Sequence, residues 1–122
     1  MPTKSPLLLV DDDADIREAI RITLEDEGFE VAEASDGGEA LEWLRSHPPP
    51  AVVLLDWNMA PMNGPQFVAE LSKEVELARV PIVVLSADAR ALEKTKDGGY
   101  AECLTKPFEL DELFAVVRRY CS

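Results

Sequence analysis

Ala51-Val52-Val53-Leu54-Leu55-Asp56 is the stretch that decides how this 122-residue chain folds. Five apolar residues without polar alternation suit a strand covered on both faces, and such strands belong to parallel sheets flanked by helices. Pro48-Pro49-Pro50 stops any helix before it, and an aspartate ends it. The same design recurs on either side. Leu7-Leu8-Leu9-Val10 runs into Asp11 and Asp12, Ile82-Val83-Val84-Leu85 into Ser86, and Cys103-Leu104-Thr105 into Lys106. Ligands of open parallel sheets bind at the carboxyl ends of the strands. The chain therefore delivers three carboxylates, a hydroxyl and an ammonium to one sheet edge. Clustered carboxylates repel one another unless a cation binds or one takes a proton. That is the outline of a site for a hard divalent metal, with a lysine placed to meet an anion.

Helical patterns fill the intervals. Asp13 is placed to cap a helix from Ala14 to about Glu27, with Ile16, Ala19, Ile20, Thr23 and Leu24 as its inner face and Gly28 as its stop. Phe29 to Ala34 alternates like a strand nearer the sheet edge. A second helix follows from Asp36 to Ser46, with Ala40, Leu41 and Leu44 inward. A loop from Trp57 to Asn63 leads to a third helix, about Gly64 to Val75, with Phe67, Val68 and Leu71 inward. A weaker helix spans roughly Ala89 to Lys96, Gly98-Gly99 breaks it, and a short strand lies near Ala101 to Leu104. The last helix, Leu110 to Tyr120, turns Leu113, Val116 and Val117 inward. A fivefold strand–helix repeat with such crossovers predicts one α/β domain, a doubly wound five-stranded parallel sheet with five helices. A closed eightfold barrel needs far more chain.

Bulk properties narrow the function. A net charge of −12 argues against sequence-independent nucleic-acid binding and against anionic membrane surfaces, since both rest on basic patches. No apolar stretch approaches the ~20 residues of a membrane span, and the N-terminus lacks an apolar signal core, so a cytoplasmic protein is expected. Cys103 and Cys121 have no metal-ligand spacing and read as reduced thiols. His47, the single histidine, sits in a proline-rich turn and reads as a solvated loop residue.

Val10-Asp11-Asp12, Asp56 with Met59 and Gly64 downstream, Ser86-Ala87 and Lys106-Pro107-Phe108 occur in this order at successive strand ends. In this set the chain resembles the receiver domain of two-component response regulators, over essentially its whole length. The resemblance implies a flavodoxin-like sheet of order 2-1-3-4-5 and a single receiver domain over residues 1–122 with no output domain. It implies that Asp56 accepts a phosphoryl group from the phosphohistidine of a histidine kinase or phosphotransfer protein, with Mg2+ (or Mn2+) as cofactor. It further implies that Asp12, Asp56 and the backbone carbonyl of Asn58 hold the metal, with Asp11 acting largely through water. Lys106, the Ser86 hydroxyl and the Ala87 backbone amide would then bind the phosphoryl oxygens. Such a protein catalyses only its own phosphorylation and dephosphorylation. It signals to a downstream effector, or to a second copy as a homodimer, through the fourth helical segment, fifth strand and last helix, roughly residues 89–120.

The chemistry suits the residues. A carboxylate is a weak nucleophile toward an anionic phosphoryl group, so positioning and charge neutralisation must carry the reaction, and magnesium takes oxygen ligands while sharing substrate oxygens. Three positions depart from the family pattern. Ala60 stands where proline is usual, with Pro61 next; Ser86 replaces the commoner threonine; and Cys103 replaces the usual aromatic ring that turns inward on activation. Ser86 and Cys103 are thus the switch positions, and a cysteine is too small for a ring's sweep, so phosphorylation here is expected to be read by backbone and loop shifts. Tyr100, where the family tends to carry alanine, reads as a surface tyrosine or a partner contact. Two other classes compete. A degenerate receiver would act only as a phosphorylation-independent docking module. A dehalogenase-type phosphatase also uses a nucleophilic aspartate, but needs a second aspartate where this chain has Asn58.

Overall fold

The apolar runs do become strands, and their registers decide which polar residues meet. The computed structural model describes residues 6–56, 64–74, 77, 79–86, 102–105 and 109–121, with only the backbone described at Gly64, Pro65, Glu102 and Cys103. Its elements are β1 (Leu7–Val10), α1 (Ala14–Asp26), β2 (Val31–Ala34), α2 (Gly37–Ser46), β3 (Val52–Asp56), α3 (Gly64–Ser72), β4 (Ile82–Ser86), β5 (Glu102–Thr105) and α4 (Leu110–Cys121). All four strand pairings are parallel and the sheet order is β2-β1-β3-β4-β5. The chain winds outward from β1 to β2, then crosses back to the other side of β1 to lay down β3. The crevice of this reversal opens at the carboxyl ends of β1 and β3.

Side chains on a strand alternate between faces, and here both faces are buried. Leu8, Val10, Val53, Leu55, Ile82 and Val84 join Leu41 and Leu44 of α2 and Phe67 and Leu71 of α3 in one cluster. Leu7, Leu9, Val52, Leu54, Val83 and Leu85 join Leu24 of α1 and Leu113, Val116 and Val117 of α4 in the other. Each fully buried Leu or Val contributes about 1.5–3 kcal/mol relative to exposure, so the two layers hold the central strands rigid beneath the site. The helix faces expected for α2, α3 and α4 are those buried. The expected inner face of α1 is corrected: Leu24 is fully buried and Ile20 half-buried, but Ile16 is 42% exposed and Ala19 is exposed. Along this apolar stripe burial begins at Ile20 and is complete at Leu24.

The helix ends follow their capping residues. The Asp13 carboxylate accepts from the Asp15 and Ile16 amides at 3.0 and 3.2 Å, and Asp36 caps α2 through the Glu39 amide at 2.8 Å. At the far end of α1, the Phe29 amide donates to the Leu24 carbonyl (3.1 Å) and the Gly28 amide to Glu25 (3.0 Å). This closure needs a left-handed residue between them, and Gly28 supplies it at φ +91°. Because Phe29 is spent on that closure, β2 starts at Val31, two residues later than the alternation suggests. α3 stops at Ser72, short of Val75, because the chain tightens into i→i−3 bonds, Lys73 to Glu70 and Glu74 to Leu71. The expected loop 57–63 and helix 89–96 lie outside the described residues.

Candidate functional site

Register brings the carboxylates together. Leu9 pairs with Leu54 and Val10 with Leu55, so Asp11 and Asp56 occupy the next level of the β1–β3 ladder. Carboxylate oxygens of Asp11, Asp12 and Asp56 all lie within 4.8 Å of one another. Asp11 is 1% exposed and Asp56 8%, whereas Asp12 faces solvent. At 4.8 Å two negative charges repel by about 1 kcal/mol in water-like surroundings and about 3 kcal/mol at an effective dielectric of about 20. The fold keeps this repulsion because rigid, doubly covered strands hold the backbones that carry it.

The turn between β1 and α1 is fixed by its own polar groups. The Asp11 amide donates to the Ala34 carbonyl at 3.2 Å, extending the ladder to β2 by one bond. One Asp11 carboxylate oxygen accepts from the Asp13 amide at 2.9 Å. The Asp11 carbonyl accepts from Arg17 Nη1 at 2.8 Å, and Arg17 Nε donates to Glu33 Oε1 at 3.2 Å. Arg21 Nε stands 3.1 Å from the other Glu33 oxygen, close enough for an ion pair but not aligned as a hydrogen bond. Neither Arg17 nor Glu33 is singled out by the pattern of the sequence. The available signal was a cation near the start of a helix, where the macrodipole disfavours it.

Ser86 ends β4, 1% exposed, one level beyond the Asp56–Leu85 pairing. It pairs with Thr105, the residue preceding Lys106. The structure thus unites Asp11, Asp12 and Asp56 and places Ser86 on the adjoining strand end. Asp13 is the α1 cap, as its position after the acidic pair suggests. Asn58, Ala87, Tyr100 and Lys106 lie outside the described residues, and of Cys103 only the backbone, level with Val84 in β5, is described. His47 is exposed at the end of α2, its ring stacked on Trp43 with centroids 4.3 Å apart, remote from any strand's carboxyl end.

The donor set suits a hard cation: all three groups offer carboxylate oxygen, the ligand type that Mg2+ takes, within 4.8 Å of one another. Among the described residues, no helix is long and apolar enough to cross a membrane.

Comparison with known proteins agrees with this geometry. Residues 7–118 match the response regulator receiver domain family. The chain is 34% identical over 114 residues to the phosphate regulon transcriptional regulatory protein PhoB of Escherichia coli, with 92% of this chain and 49% of PhoB covered. It is 39% identical over 117 residues to the response regulator Rre1 of Synechocystis, again covering 92% of this chain and 49% of the relative. The chain therefore spans about half the length of these curated relatives. Among solved structures, the Vibrio cholerae chemotaxis protein CheY4 superposes with a TM-score of 0.86 at 31% identity, covering 97% of this chain and 99% of CheY4. A putative response regulator from Chloroflexus aurantiacus gives 0.88 at 27% identity, with 98% of each chain covered.

Proposed function

The chain belongs to the response regulator receiver family, and from that premise we propose that it is a phosphorelay receiver whose Asp56 carboxylate accepts the phosphoryl group of a histidine kinase or phosphotransfer-protein phosphohistidine. The observation that carries the reading is the convergence of three carboxylates within 4.8 Å at the β1 and β3 ends, beside the buried Ser86. In the transfer, an Asp56 oxygen bonds to phosphorus as the phosphorus–nitrogen bond breaks, and the electron pair of that bond stays with the departing imidazole. Asp12 and Asp56, with Asp11 through water and the Asn58 carbonyl, would hold Mg2+, or Mn2+ in its place. Bound there, the ion supplies positive charge against the meeting anions, lowering the electrostatic cost of the transfer. Ser86 and the Ala87 amide donate to phosphoryl oxygens, and Lys106 pairs with a third.

Hydrolysis of the acyl phosphate at the same residues returns the carboxylate, so the chain acts catalytically only on itself. The phosphorylated form favours one surface arrangement over another, and an effector or a second copy reads it through the surface formed by residues 89–120. With Cys103 in place of a ring, that shift is carried by backbone and loop movement. Incubation with Mg2+ and acetyl phosphate, followed by intact mass measurement, tests the reading. A phosphoryl adduct on the parent chain and none on Asp56→Asn is expected. Absence of an adduct on the parent would make the chain a docking module.

A further inference from the structure

Resting on the reading that the acidic cluster holds a divalent cation, we propose that Arg17 is a positioning residue for that site, clamping the turn that carries Asp11 and Asp12. The clamp has two ends. Arg17 Nη1 donates to the Asp11 carbonyl at 2.8 Å, and Nε donates to Glu33 Oε1 at 3.2 Å, tying the β1 terminus to the edge strand β2 through α1. The arginine side chain is only 19% exposed.

The carbonyl it holds stands where the chain leaves β1 and turns into α1. The Asp11 carbonyl and the Asp12 amide share one planar peptide unit. Fixing the Asp11 oxygen therefore fixes the orientation of the backbone from which the Asp12 side chain projects. Asp12 is exposed, and its side chain makes no hydrogen bond among the described residues, so its aim depends on that backbone. The Asp13 amide meanwhile holds a carboxylate oxygen of Asp11 at 2.9 Å. The acidic turn is gripped on both sides, while its two carboxylates remain directed toward Asp56. A cation at the fourth position of α1 opposes the helix macrodipole, and the contacts to Glu33 and to the Asp11 carbonyl offset that cost.

Positioning and charge predict opposite signs. Removing a positive group near a cation site strengthens cation binding if charge alone matters, whereas losing a group that orients metal-holding residues weakens it, typically by 10- to 100-fold. The experiment is calorimetric titration of the full chain with Mn2+ alone, alongside thermal melts in EDTA. Arg17→Met is expected to weaken Mn2+ binding about tenfold, and Arg17→Lys, which keeps the charge and one donor, to recover part of the loss. Glu25→Gln, which cuts only the exposed Arg21–Glu25 pair of 2.8 Å, is expected to leave affinity unchanged.

If Arg17→Met does not fold, Arg17→Lys carries the test: it keeps the charge but cannot span both the Asp11 carbonyl and Glu33, so a smaller loss of affinity is expected, and unchanged Mn2+ binding overturns the clamp. Unchanged or tighter Mn2+ binding by a folded Arg17→Met, beside normal binding by the parent, overturns the clamp and leaves the metal reading standing. No Mn2+ binding by the parent overturns both. A lower melting temperature in EDTA with unaltered affinity assigns Arg17 to stability alone and also overturns the clamp.

Discussion

Replacing Asp56 by asparagine should stabilise the protein without divalent metal and remove the stabilisation that metal brings. Its carboxylate sits within 4.8 Å of those of Asp11 and Asp12, one buried and one exposed. The repulsion with Asp11 is worth up to about 3 kcal/mol at a dielectric of about 20, and that with solvent-facing Asp12 nearer 1 kcal/mol. The asparagine keeps the volume and one acceptor oxygen but forfeits whatever attraction cations give the parent carboxylate. A net gain of about 1–3 kcal/mol is therefore expected, or roughly 4 °C in Tm per kcal/mol for a domain of this size.

Divalent metal should reverse the order. A ligand at 100 times its Kd stabilises the state it binds by about 2.7 kcal/mol, and the parent should gain that while the asparagine variant gains little. Thermal melts of both proteins in EDTA and in millimolar Mg2+, repeated with added NaCl, make the measurement. Salt should narrow the EDTA difference by screening the exposed part of the repulsion. If Asp56→Asn were no more stable in EDTA and responded to Mg2+ as the parent does, the three carboxylates would not act as one charged cluster.

Other expectations concern the frame of the site. Asp13→Ala removes the two amide bonds that start α1 and should cost about 1 kcal/mol in urea denaturation. Gly28→Ala meets no atom within 4 Å of the new Cβ, so its cost of about 1 kcal/mol should come from the positive φ alone; a Gly28→Asn variant should lose less by the same assay. Arg45 bonds both oxygens of Glu74 and holds its carboxyl below the usual carboxylate range. Because the folded-state value is the lowered one, the pair's contribution is present above the unfolded value and fades as pH falls through the folded value. Thermal melts should then show the parent's advantage over Glu74→Gln shrinking as pH drops from about 7 to about 3.

Strand positions, helix cores and the acidic cluster were legible in the chain because period and burial leave local marks. Leu54, Leu113 and Phe67 announce themselves by spacing, and Asp11, Asp12 and Asp56 by standing where apolar runs stop. The inner face of α1 was misread because a period-3.6 stripe shows which side is apolar but not how far along the helix the sheet reaches. Ile16 belongs to the stripe and is still 42% exposed.

The residues alone thus determined a doubly wound parallel sheet and the identity of its acidic edge, since alternating runs of buried strand and amphipathic helix admit few other packings. The order that sets β2 beside β1 came from the family resemblance of the strand-end residues and is the order observed, but only the tertiary structure decided that Asp11 and Asp56 share one level of the ladder. Register depends on contacts between residues distant in the chain, and no local pattern encodes it. For the same reason the link from Glu33 through Arg17 to the Asp11 carbonyl appears only once the chain is folded. It joins an edge strand, a helix and a strand end that the sequence holds apart.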